Sequence, residues 1–172
     1  MTLLVILPIH GLALFLQAGI SGWPPFGWAK PPFLLAAALY AALRYDRLTA
    51  GWSAVLAGLL QDTLGFVPLG VSSFGFLALA VGVYLLRPSL VRESFLTLLL
   101  LTAVGAALLA AWTWGLLRWG AVEEIPPFQV SPALLALKIA GQAILTPVAV
   151  LPIHLLSRWL ERTICPAGEW PA

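Results

Sequence analysis

Asp62 stands in the stretch AGLLQDTLGFVPLG, residues 57–70, where almost every neighbour is apolar. An ionised carboxylate in such surroundings is costly unless it lies at a boundary with water, is neutralised by a partner or serves a function. Three readings are open. Gly65, Pro68 and Gly70 have turn composition, so the carboxylate can accept amides of the 63–65 segment as an Asx-type turn. It can pair with Lys138 on a later apolar run, or it can carry a proton or contact a substrate.

The remaining polar groups offer little chemistry. Pro-Ile-His occurs twice, ending in His10 and His154, but two histidines without a nearby Cys, Asp or Glu make a poor metal site, and hydrogen-bonded helix contacts are expected instead. Glu123-Glu124 resembles the paired glutamates of some intramembrane proteases. No arginine follows at helical spacing, however, and Pro126-Pro127 breaks a helix there, so the pair reads as a solvated loop. Ser53, Ser72, Ser73 and Ser94 lack a plausible neighbouring base, and no glycine-rich phosphate loop is present. Cys165 is the only cysteine, which excludes an intramolecular disulfide, and its surroundings match no lipidation signal. The sequence therefore predicts no catalytic residue, cofactor or metal. A transporter would have few charged groups for coupling ions.

The elements that hold these residues follow from composition. Of 172 residues, 61% are hydrophobic and 9% charged, and the mean hydropathy is +0.98, whereas soluble domains carry about 25% charged residues. The expectation is an all-α integral membrane protein, one membrane domain over residues 1–172. Apolar runs cover roughly residues 3–20, 31–44, 49–62, 69–86, 94–117 and 132–157, which predicts six helices. The first run lacks a basic n-region and a clear cleavage site, so it reads as a retained span. The second and third are short for a hydrocarbon core of about 30 Å. A re-entrant hairpin would bury Arg44-Tyr45-Asp46-Arg47 at its tip, so the tip is expected to reach water.

With six spans, Arg44, Arg47, Arg87, Arg92, Arg158 and Arg162 share a side with both termini, while Lys30, Arg118 and Lys138 lie at the other. The positive-inside rule then makes both termini cytoplasmic. Trp23, Phe26, Trp28, Trp119 and Phe128 fall near the outer interface, and Tyr40, Tyr45, Trp52, Tyr84 and Trp159 near the inner one. No basic run suits nucleic acid.

Small residues recur four apart at Ala54 and Gly58, at Ala78 and Gly82, at Ala103, Ala107 and Ala111, and at Ala136 and Ala140. Such faces allow close packing where lipid offers no hydrophobic contrast, and they are expected to form internal seams. Pro8, Pro147 and Pro152 fall inside spans and should kink them.

Residues 30 to 90 carry a resemblance. A basic residue and proline open the second span (Lys30-Pro31), Gly58-Leu59-Leu60-Gln61-Asp62 ends the third, and Leu69-Gly70 opens the fourth. In these elements the chain resembles the rod shape-determining protein MreD family. One departure is Phe33, after Pro32, where the family often has an acidic residue following the proline. If that acid positions the outer end of the second span, this chain must do so otherwise. The resemblance implies a non-enzymatic inner-membrane scaffold of the wall elongation complex, binding the bitopic partner MreC. It also implies help in linking MreB filaments to the polymerase RodA and its transpeptidase. Pro31, Gly58, Asp62, Gly65, Gly70 and Lys138 are then structural residues. Ala78 and Gly82, or Ala103, Ala107 and Ala111, are candidate faces for a partner helix. The family is similar in architecture to the S components of energy-coupling-factor vitamin transporters, so a substrate-binding subunit is the alternative, with Trp23, Trp28, Asp62 and Lys138 as a candidate outer pocket.

Overall fold

The structure, a computed structural model, describes residues 2–65, 68–90, 94–118 and 131–164. Glu123-Glu124, Cys165, Arg92, Trp119 and Phe128 lie outside the described residues. Six α-helices and no strand are present among those described: α1 Thr2–Gly19, α2 Phe33–Arg44, α3 Arg47–Leu64, α4 Val71–Leu86, α5 Phe95–Arg118 and α6 Pro132–Ile164. Each overlaps one of the six predicted runs, and α6 continues seven residues past the predicted end at 157. α3 is longer than its apolar run because Asp46 accepts the Thr49 amide at 3.3 Å and lets the helix begin at Arg47. Among the described residues three stretches, Val71–Ser89, Phe95–Leu116 and Pro132–Thr163, are long and apolar enough to cross a membrane; α1 and α2 are shorter apolar helices.

α2 is the axis. Its 12 residues rise only about 18 Å, less than a hydrocarbon core of about 30 Å. Its shortness is tolerable because lipid hardly meets it: every side chain from Phe33 to Leu43 is buried, and α1, α3, α4, α5 and α6 all touch it. The sequence FLLAAALYAALR explains how so many neighbours fit. Five alanines leave the helix thin enough for close approach, while Phe33, Leu34, Leu39 and Leu43 fill the spaces between the surrounding helices.

α3 and α5 turn mostly small or polar side chains inward and large apolar ones outward. On α3, Ala50, Ser53, Ala54, Ala57, Gly58 and Asp62 are buried, while Leu48, Trp52, Leu56 and Leu59 are exposed at helical spacing. On α5, Leu98, Thr102, Ala106 and Ala110 point inward, and Leu96, Leu100, Val104 and Leu108 outward. This inversion suits lipid, where association relies on close packing rather than on burial of oil. Two inward hydroxyls are satisfied within their own helix: Thr102 and Ser157 donate to the carbonyls of Leu98 and Ile153, four residues back, at 2.7 and 2.6 Å. Pro8, Pro147 and Pro152 all lie inside continuous helices.

The expected seams divide. Ala54 and Gly58 pack inward, but Ala78, Ala111, Ala136 and Ala140 are exposed, Ala103 and Ala107 are half-buried, and a Cβ on Gly82 would meet nothing within 4 Å. Four-residue spacing guarantees only a shared face. The inward face of α4 is instead set by Ser72, Ser73, Phe76, Ala80 and Val83, with Gly75 beside Leu109 of α5.

Candidate functional site

The residues of the Gly-Leu-Leu-Gln-Asp and Leu-Gly elements meet in one joint between α3 and α4. Gly58 and Asp62 are four apart on α3 and share its inward face. A Cβ on Gly58 would lie 2.3 Å from Cα of Ser73, so only glycine lets the first turn of α4 come this close. One helical turn further on, the Asp62 carboxylate meets that turn: Oδ2 accepts the Gly70 amide at 2.7 Å and Oδ1 the Ser72 amide at 3.1 Å. Asp62 is 3% exposed. Gly70, the residue preceding α4, has φ +101°, a left-handed conformation that favours glycine.

Asp62 thus neutralises the amide end of the neighbouring helix, where orphan donors and the helix dipole favour an anion. The amides are those of residues 70 and 72, not of the 63–65 segment: helix α3 continues to Leu64, which commits the following amides to its own turns, and Gly65 donates to the Asp62 carbonyl rather than its carboxylate. Among the described residues no ion pair joins Asp62 to Lys138. Lys138 is exposed on the second turn of α6, beside the Gly27 turn.

A second cap at the same end answers the departure at Phe33. Pro32 precedes α2 and supplies no side-chain cap. Gln17, buried on α1, extends its amide oxygen to the Leu34 amide at 3.1 Å and donates its NH2 to Oε1 of Gln61 on α3. A glutamine from a neighbouring helix therefore caps α2. Pro31 is buried at this entry, its carbonyl accepting the Phe33 amide at 3.0 Å.

The opposite end holds a polar cluster around Glu161, which is 4% exposed. Its Oε1 accepts from the Tyr40 hydroxyl at 2.6 Å and more distantly from that of Tyr45, and its Oε2 accepts from Nη2 of Arg44 at 2.9 Å. Arg87 donates to the Tyr45 carbonyl at 2.9 Å. The α2–α3 tip is accordingly only half in water: Asp46 and Arg47 are exposed, whereas the Arg44 side chain is 17% exposed. Between the two ends, His10 donates through Nδ1 to the Ile6 carbonyl at 2.9 Å, which leaves Nε2 to accept from the Ser53 hydroxyl at 3.1 Å. His154 has a different neighbour, the Phe95 ring. Among the described residues no group of three His, Cys, Asp or Glu is placed to hold a metal ion.

Sequence reasoning missed Gln17 and Glu161, and it gave Tyr40 only an interfacial place and Gln61 only a place in the motif. For Glu161 a signal existed: Val150, Ile153, Ser157 and Glu161 follow one another at helical spacing on the buried face of α6, so the inward pattern runs past residue 157. For Gln17 the only hint is a lone amide at the end of an apolar run.

No curated protein and no solved structure matches the chain. A family model does, across residues 1–151, from α1 through most of α6. It therefore takes in the regions flanking residues 30–90 that the motifs alone did not reach. With the match spanning most of the chain, the protein belongs to the rod shape-determining protein MreD family.

Proposed function

We propose that the protein is a single inner-membrane domain, crossing six times with both termini in the cytoplasm, that scaffolds wall elongation without catalysing a reaction. The observation that carries this reading is the engagement of Gly58, Asp62 and Gly70 in holding α3 to α4. Residues so used set the distance between helices, which is what a scaffold must control. Glu161, Tyr40 and Arg44 do the same for α2 and α6.

MreC is the proposed direct partner, through its one membrane helix, with RodA, the transpeptidase and MreB reached through the assembly. Ala78 is exposed on α4, a Cβ on Gly82 one turn further along would meet nothing within 4 Å, and Ala111 is exposed on α5, so small residues there admit a close helix. Ala103 and Ala107, half-buried, precede Ala111 at four-residue spacing on the same face of α5. A vitamin-binding role would need an outer pocket of about 300 Å³ or more. The cavity of about 130 Å³ beside α3 and α4 is lined by none of Trp23, Trp28, Asp62 and Lys138.

The test is photo-crosslinking in native membranes from single positions, followed by identification of the adducts by mass spectrometry. Probes at Ala78, Gly82 and Ala111 should capture MreC, and probes at Leu7 and Phe15 on α1 should not. Capture of transporter ATPases, or equal MreC capture from every exposed position, would overturn the reading.

A further inference from the structure

We propose that the groove between α3 and α4 at the arginine-bearing end holds one anionic phospholipid, its phosphate against Arg47 and an acyl chain on the apolar floor. The groove encloses about 130 Å³ and is lined by Arg47, Ala50, Gly51, Ala80, Val81, Tyr84 and Leu85. Its floor is open because Ala50, Gly51 and Ala80 are small; a Cβ on Gly51 would find only the Leu77 side chain, at 3.8 Å. Its outer walls, Val81 and Leu85, are 44% and 71% exposed, so the groove opens sideways, where acyl chains would lie, rather than into the bundle.

Charge supplies the rest. Arg47 is exposed at the start of α3, and the Arg44–Glu161 ion pair does not involve it. The nearest acid in sequence, Asp46, is engaged with the Thr49 amide. Arg87 adds a second cation, 5.6 Å from the Tyr84 ring. A largely apolar slot with the guanidinium-bearing Arg47 in its lining matches a phosphate carried on a hydrocarbon chain. The inference rests on membrane insertion and not on the scaffold role.

Native mass spectrometry of the full chain in detergent, titrated with phosphatidylglycerol or phosphatidylcholine of identical acyl chains, tests it. Wild type should retain phosphatidylglycerol about fivefold better, the contribution of one cation near a headgroup. R47Q should bring the ratio near one, G51L should reduce retention of both lipids, and K138Q, at the other end, should leave the ratio unchanged. V81W fills the mouth from an exposed wall and stands in for G51L if that variant does not fold. Equal retention of the two lipids by wild type, or a ratio indifferent to R47Q, overturns the site. So does retention indifferent to G51L and V81W. Crosslinking of MreC is unaffected by these outcomes, so failure here and failure of the scaffold reading are separable.

Discussion

Glu161 and Arg44 meet at 2.9 Å across a sequence separation of 117 residues, joining the last helix to the axial one. The same carboxylate takes the Tyr40 hydroxyl, so one side chain serves two donors from consecutive turns of α2. Removing a partner from a buried pair costs more than the pair contributes, because the survivor is left charged and unpaired.

The first prediction follows. E161L should destabilise the protein by about 3 kcal/mol, read as a fall in melting temperature in detergent. E161Q should cost less, since its amide oxygen still accepts from Tyr40. Exchange of the two charges, R44E with E161R, should fail to rescue, because an arginine at 161 cannot accept from Tyr40 or Tyr45. Rescue by the exchange would mean that charge alone holds the ends together.

Asp62 separates two kinds of substitution. In D62N one amide oxygen remains to accept from either Gly70 or Ser72, and the expected loss is about 1 kcal/mol, as for a weakened helix cap. D62L buries both amides without a partner and should lose about 3 kcal/mol or more. K138A should leave stability within about 0.5 kcal/mol of wild type, as expected of an exposed residue without a buried partner. Thermal unfolding of the three variants decides this, and a K138A loss equal to that of D62N would restore the ion pair.

The count of helices and most of their ends were legible because apolar runs broken by Pro, Gly and charge report span limits directly. The position of α2 was not. LLAAALYAAL reads as a short span, and nothing within it says that five helices surround it; that depends on which faces the other helices turn inward. Asp62 was legible as anomalous and as a helix-end residue, since its cost and the glycines after it are local. Its partners were not, because capping of α4 depends on how closely Gly58 lets the helices approach. Glu161 escaped notice because it belongs to an apolar face that outlasts the apolar run. Whether Ala78 and Gly82 face inward or outward was left open by the sequence, because a small residue fits both a tight seam and a lipid-facing surface.

Gly58 and Gly82 make a matched pair for measuring that difference. G58A places a methyl against the backbone of Ser73 and must push α4 away, weakening the Asp62 cap as well. Overpacking of this kind costs about 1–3 kcal/mol. G82A meets open space and should be neutral or slightly stabilising, since alanine is the better helix former. Thermal melts of both variants, with MreC recovery from membranes measured alongside, distinguish the positions. G58A should lose both readouts, whereas G82A should keep stability, and bulkier G82L should lose only the partner.

The last prediction concerns pH. The Thr49 hydrogen bond holds the Asp46 carboxyl below its ordinary value of 3.8. A carboxylate with a depressed folded-state pKa contributes stability that is fully present above the unfolded value and is lost as pH falls through the folded one. The start of α3 should therefore be insensitive to pH across 5 to 8 and weaken only below about 4. D46A, which removes the cap, should cost about 1 kcal/mol at neutral pH, and the gap between its melting temperature and that of wild type should narrow on acidification below that point. Because Asp46 precedes Arg47, loosening the cap should also reduce phosphatidylglycerol retention at the α3–α4 groove. Retention unchanged in D46A would show that Arg47 is positioned by the rest of the helix and not by its cap.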